Sequence, residues 1–167
     1  MTYLSTLMFA LVLFSNIAAQ SMLKNNIDIR FGYGGIDGLS GMTFLSAAYG
    51  REIKNGFILK GSFLKGSGVD NDFGNIHKSI NIFGFGLQKA VNTSGASSIN
   101  LALGYRVANL VSSPDDGYPG RSGYYHGVDV DLSYLYHFND RIGVYAGANF
   151  TTGIFMFSVN VGSRVYF

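Results

Sequence analysis

Hydrophobic and polar residues alternate along much of this chain. Between Asn26 and Tyr33, Ile27, Ile29, Phe31 and Tyr33 occupy one side of a period of two, and Asp28, Arg30 and Gly32 the other. Successive side chains of a strand point to opposite faces, so this pattern predicts a strand with one apolar face. The pattern recurs over 57–63, 99–107, 126–138, 142–150 and 155–167. In the last of these, Phe155, Phe157, Val159, Val161, Val165 and Phe167 stand against Met156, Ser158, Asn160, Gly162, Arg164 and Tyr166. Two more stretches have a less certain face: 42–53 is apolar on both sides, and 78–91 reads with Phe83, Phe85 and Leu87 outward. The sum is about eight strands of roughly 9–13 residues, the length of a tilted membrane strand rather than an ordinary globular one.

Turn signals divide the strands. Asn55-Gly56 predicts a tight hairpin, and Asn139-Asp140 a second short turn. Longer connections are expected over 65–77 and 109–124, with shorter ones over 92–98 and 151–154. Pro114 and Pro119, the only two prolines, both fall in the 109–124 connection. Proline removes a ladder donor, so its absence from every expected strand suits a continuous sheet in lipid. With an even strand count, both termini lie on the periplasmic side and the long loops face outward.

Composition decides which face meets lipid. Charged residues are only 13% of the chain, about half the usual share for a soluble domain. Aromatic residues reach 15%, and there are 23 glycines. A soluble ligand-binding barrel would turn its apolar face inward and show water a face built of Asp, Arg, Ser, Asn and Gly. That polar face is rich in glycine, a poor soluble exterior but a good filling for a narrow barrel. Asp28, Arg30, Glu52, Lys60, Arg106, Asp129, Asp131 and Arg164 are therefore expected to face the lumen and pair there, since an isolated buried charge is costly. Tyr33, Tyr49, Tyr105, Tyr134, Tyr136, Phe138, Phe150 and Phe155 fall near expected strand ends, where aromatic rings favour the membrane interfaces. A net charge of +2 with no basic cluster points to no nucleic-acid partner, and the lack of Cys excludes disulfides and thiolate metal sites.

The amino terminus reads as an export signal. Leu7–Phe14 is an apolar run too short to span a bilayer as a helix, and Ala19 before Gln20 offers a cleavage point. No Lys or Arg precedes the run. Residues 1–19 are thus expected to be a signal peptide and 20–167 a single barrel domain.

The terminal Ser163-Arg-Val-Tyr-Phe167 and the strand pattern together resemble the small eight-stranded bacterial outer-membrane barrels. That group includes the OmpA transmembrane domain, OmpX and the opacity-type porin-family proteins, and the short outer-membrane barrels of Bacteroidota share an Ala-Gln junction like Ala19-Gln20. The resemblance implies an all-β, antiparallel, up-and-down transmembrane barrel of eight strands, monomeric and exported to the outer membrane. It also implies that Val165, Tyr166 and Phe167 are read by the barrel-insertion machinery, and that outer-membrane lipid and lipopolysaccharide surround the protein. It covers only the barrel portion of OmpA, so no wall-tethering role is implied.

Candidate chemistry is sparse. Some eight-stranded barrels modify lipid A, but His77, His126 and His137 form no nucleophile–base–acid arrangement in sequence, and no deacylase or acyltransferase motif is present. His126 and Asp129 fall on opposite faces. Asp70-Asn-Asp72 lacks the later Glu of a calcium loop, and the glycosylation-like Asn92-Thr-Ser94 and Asn149-Phe-Thr151 carry little weight in a bacterial barrel. No catalytic residue, metal or cofactor is assigned. Eight strands leave a lumen that side chains can fill, so a narrow pore is the second reading and a lipid-modifying enzyme the third. The favoured one is a structural or surface-interaction protein, with Asp115, Asp116, Tyr118, Arg121, Tyr124 and Tyr125 as candidate contacts to an extracellular protein or glycan. A closed barrel keeps its fold in cold detergent, so boiled and unboiled samples should migrate differently on a denaturing gel. Identical mobility would rule the barrel out.

Overall fold

The computed structural model describes residues 25–36, 39–53, 55–70, 76–94, 96–114 and 121–167. Eight strands follow in chain order: β1 (Asn25–Ile36), β2 (Leu39–Glu52), β3 (Phe57–Asp70), β4 (Ile76–Ser94), β5 (Ser97–Pro114), β6 (Arg121–His137), β7 (Ile142–Thr151) and β8 (Met156–Tyr166). Each pairs antiparallel with its neighbours, and β8 returns to β1 to close the barrel. This is an up-and-down transmembrane β-barrel. Closure matters because hydrocarbon offers no partner to an unpaired N–H or C=O. At the seam, Asn25 and Phe167 exchange backbone hydrogen bonds of 3.0 Å in both directions.

The alternation read from the sequence is the lipid–lumen alternation of the barrel. Ile27, Ile29, Phe31, Phe85, Leu103, Leu132, Val161 and Phe167 are exposed on the outer surface, while Asp28, Asn100, Asp129, Asp131 and Arg164 are buried within. The two uncertain stretches resolve as well. Leu45 and Thr43 of β2 face out and Met42 and Phe44 face in; Phe83, Phe85 and Leu87 of β4 face out as expected, with Ile80 and Ile82 inside. Tyr136 and Phe138 meet edge-on, with ring centroids 5.5 Å apart, at the end that carries the termini. Tyr105 departs from its expected place: it sits mid-strand in β5, opposite Val128.

Turn chemistry places the hairpins. Asn55 and Gly56 both take positive φ, 57° and 73°, the pairing that suits a tight hairpin between right-twisted strands. The Asn139 side-chain oxygen accepts from the N–H groups of Arg141 and Ile142, each at 2.9 Å, and so holds the β6–β7 turn.

The sheet is longer than the sequence pattern indicates. The expected connection over 65–77 is largely strand: β3 runs to Asp70, and β4 resumes at Ile76. Likewise β5 continues to Pro114 and β6 starts at Arg121, within the expected 109–124 connection, and the 92–98 connection narrows to the residues between Ser94 and Ser97. The outward row here mixes Ser67, Ser79, Asn81, Asn109 and Ser113 with Val69 and Val111, so the apolar signal is broken although the hydrogen-bonded ladder goes on. Pro114 is thus the last residue of a strand, not a loop residue; at a strand end its missing donor interrupts no ladder. Phe155, expected to begin β8, instead lies in the preceding turn with φ 41° and its ring exposed.

Strand heights differ around the barrel. β7 ends at Thr151, paired with Asp129, whereas β6 continues from there back to Arg121. Strands β3–β6 therefore rise past the β7–β8 hairpin at the end opposite the termini. Backbones approach closely where β1 meets β8, and a Cβ on Gly34 would run into the Phe157 carbonyl, while one on Gly61 meets nothing within 4 Å. Gly34→Val should destabilise the barrel by about 1–3 kcal/mol in urea unfolding followed by Tyr emission, and Gly61→Val, on the lipid face, by less than about 0.5 kcal/mol.

Candidate functional site

The lumen holds the chain's chemistry. Asp28 and Arg164 are direct register partners across the closing seam. Arg164 grips the carboxylate with two prongs, Nε to Oδ1 at 2.6 Å and Nη2 to Oδ2 at 2.8 Å, across 136 residues of sequence. Lys60 Nζ donates to the same Asp28 oxygen at 2.6 Å, and Arg30 Nη2 at 3.2 Å. One carboxylate with no exposed surface thus ties β1, β3 and β8 together. Arg30 reaches across the lumen to Asp131 of β6 with its other terminal nitrogen and lies 4.6 Å from the ring centroid of Tyr145. A second centre forms round Asp129: Arg106 pairs with it at 2.9 Å, and Asn149 and Thr151 donate to it at 2.6 and 2.9 Å.

Seven of the eight expected lumen charges are therefore paired, five round Asp28 and Arg30 and two, Arg106 and Asp129, in the second centre. Glu52 is the exception. It stands half-exposed at the last position of β2 and makes no ion pair among the described residues. Sequence reading also missed the neutral members. Gln88 accepts from Lys60 and Arg164, each at 3.0 Å, and donates to Asn100 at 3.1 Å, which in turn donates to Ser98 at 3.1 Å. Polar residues at inward positions of every strand were the available signal, since a buried lattice needs acceptors and donors as well as charges.

Above this lattice, the lumen changes character. Ile36, Met42, Phe44, Leu64, Ile80, Ile82, Ala108, Ile154 and Met156 form one buried apolar cluster, flanked by Leu110 and Tyr125. At that height the neighbouring outward positions of β3–β5 are Lys65, Ser67, Ser79, Asn81 and Asn109. The lumen is mainly polar over its lower part and mainly apolar over its upper part, while the outer surface at the upper level mixes these polar residues with exposed Tyr33, Leu45, Val69, Val111 and Phe157. The change of lumen explains why 42–53 and 78–91 resisted assignment: each crosses the boundary and carries apolar residues on both faces.

The other expected site residues disperse. Asp115, Asp116 and Tyr118 lie outside the described residues, as do residues 1–19 and the side chain of Arg121. Tyr124 and Tyr125 belong to a strand, not a loop. Adjacent strand positions face opposite ways, so Tyr124 is exposed while Tyr125 turns in and packs on the apolar cluster. Val165 and Phe167 face outward, and Tyr166 stacks on His137 at 5.6 Å. His126 hydrogen-bonds the Tyr105 hydroxyl at 2.8 Å on the outer surface, away from the buried Asp129. Asn149, the first residue of a glycosylation-like triplet, is buried in the lumen. Among the described residues no group of three or more His, Asp or Glu is placed to hold a metal ion.

Comparison with solved structures identifies the fold. The chain superposes on Neisserial surface protein A with a TM-score of 0.68 at 13% identity, covering 88% of this chain and 98% of that one. The N-terminal barrel domain of Pseudomonas aeruginosa OprF gives 0.63 at 11%, covering 86% and 97%. Ail, the attachment invasion locus protein of Yersinia pestis, gives 0.59 at 12%, covering 87% and 97%. No protein-family model matches the sequence, and neither does any curated protein. The fold is that of the small eight-stranded outer-membrane barrels.

Removing Asp28 would leave Lys60 and Arg164 facing each other without an anion. Asp28→Asn should cost about 3–5 kcal/mol of unfolding free energy in detergent. Glu52→Gln, outside the lattice, should change it by less than about 0.5 kcal/mol.

Proposed function

We propose that this protein resides in a bacterial outer membrane as a closed, non-conducting barrel that works through the surface it raises beyond the lipid. The apolar cluster that fills the upper lumen is the observation that carries this reading. An ion crossing the barrel would have to pass first the charge lattice and then a packed hydrocarbon stopper, where hydration is lost with nothing to replace it. The upper segments of β3–β6 carry a mixed outer face, with Ser67, Asn81 and Asn109 beside Val69, Val111 and Tyr124, over an apolar interior. That region, together with the connection around Asp115, Asp116, Tyr118 and Arg121, is where an extracellular protein or glycan would dock. Tyr124 is its most exposed described aromatic side chain, and tyrosine is a common contact residue in interfaces.

The fold relatives support this placement without defining the partner. One of them, Ail, the attachment invasion locus protein of Yersinia pestis, has been solved in complex with the heparin analogue sucrose octasulfate; a surface-interaction role for the present chain follows the same general plan. The expected export signal at residues 1–19 and the terminal Val165, Tyr166 and Phe167 fit delivery to the barrel-insertion machinery. Outer-membrane lipid and lipopolysaccharide would then contact the apolar band, with the protein acting as a monomer. An enzymatic role finds no support in the outward His126–Tyr105 pair, which has no acidic residue assigned to orient it.

Two measurements test the reading. Planar bilayers containing the purified protein should show no discrete openings; reproducible unitary steps would sink the closed-lumen proposal. Mass analysis of lipid A from cells with and without the protein should give the same acylation pattern, and a changed pattern would move the function to lipid modification.

A further inference from the structure

Charge does not balance inside the lattice. Arg30, Lys60, Arg106 and Arg164 bring four positive charges, whereas Asp28, Asp129 and Asp131 bring three negative ones. Glu52, the remaining inward carboxylate, lies half-exposed at the end of β2 and pairs with none of them. One elementary positive charge is left over among these buried side chains. A net charge so placed is costly unless a counter-ion accompanies it.

The hydrogen-bond inventory locates the surplus. An ammonium group has three N–H donors, and Lys60 spends two, on Asp28 at 2.6 Å and on Gln88 at 3.0 Å. Arg30 gives its terminal nitrogens to Asp131 and Asp28, but its buried Nε has no partner. Both side chains line the same partly open cavity of about 50 Å³, together with Arg106, Ser46 and Ser62. The carboxylates on its wall are already engaged: Asp131 by Arg30, and Asp129 by Arg106, Asn149 and Thr151.

We propose that this cavity binds one small monovalent anion, of which chloride is the natural representative, held by Lys60, Arg30 and Arg106. Its volume of about 50 Å³ is ample for a single-atom ion with water beside it. Water could accept the two unspent N–H donors but could not neutralise the charge. The anion completes the lattice as a fourth negative member, on the side of the lumen that Asp28 does not reach.

The test uses the purified barrel in detergent at fixed ionic strength, with sodium chloride exchanged for sodium gluconate. Chloride should raise the urea midpoint of unfolding in a saturable manner. Lys60→Gln, which leaves three cations against three carboxylates, should lose that dependence. Crystals soaked in sodium bromide should show an anomalous peak between Lys60, Arg30 and Arg106, a readout that does not depend on the variant folding. Equal midpoints in the two salts, an undiminished chloride effect in Lys60→Gln, or a cavity without bromide would each overturn the proposal. They would mean that water alone fills the space, or that Lys60 sheds its proton instead.

Discussion

A sheet in hydrocarbon can leave no backbone donor or acceptor unbonded, and in this chain that requirement converges on the contact between the first strand and the last. β1 and β8 must meet in register for the barrel to have no edge, and their register sets Asp28 opposite Arg164. The other charges take their places from that pair: Lys60 and Arg30 because Asp28 can accept from both, and Asp131 because Arg30 reaches it in turn. Backbone closure and charge neutralisation are thus one arrangement seen at two scales.

Polarity then divides the barrel by height. At the lower level charges and amides fill the lumen behind an apolar outer row; at the upper level aliphatic side chains fill it behind a mixed one. On the proposed reading the lumen is closed by a salt-bridged network and by a hydrocarbon core, and the raised strands are the place where partners would meet the protein.

Much of this was legible in the sequence. The period-two pattern gave the strand faces, Asn55-Gly56 gave a hairpin, and the terminal aromatic strand indicated how the barrel closes. The lumen charges were legible because Asp, Arg and Lys stand out between apolar neighbours. Their neutral partners, Gln88, Asn100, Asn149 and Thr151, were not, since a polar inward residue looks the same whether or not it bonds to a charge. The raised part of the sheet was hidden for a physical reason. Strand prediction there relied on an outward apolar row, and Ser67, Asn81 and Asn109 break that row without ending the strand. Tyr125 was misplaced by the same blind spot: set in an expected loop, it was counted with Tyr124, although strand geometry separates them.

The bond between Asp28 and Arg164 also bears on the order of events during assembly. Its two ends are separated by 136 residues, so it belongs to the most non-local contacts the chain makes, and such contacts form late. Until it forms, Arg164 has no carboxylate on its own strand to pair with, and Asp28 has only Arg30 beside it on β1. A hairpin lying alone in the bilayer would hold those charges against hydrocarbon. Closure of the seam is thus the step that gives Arg164 its carboxylate.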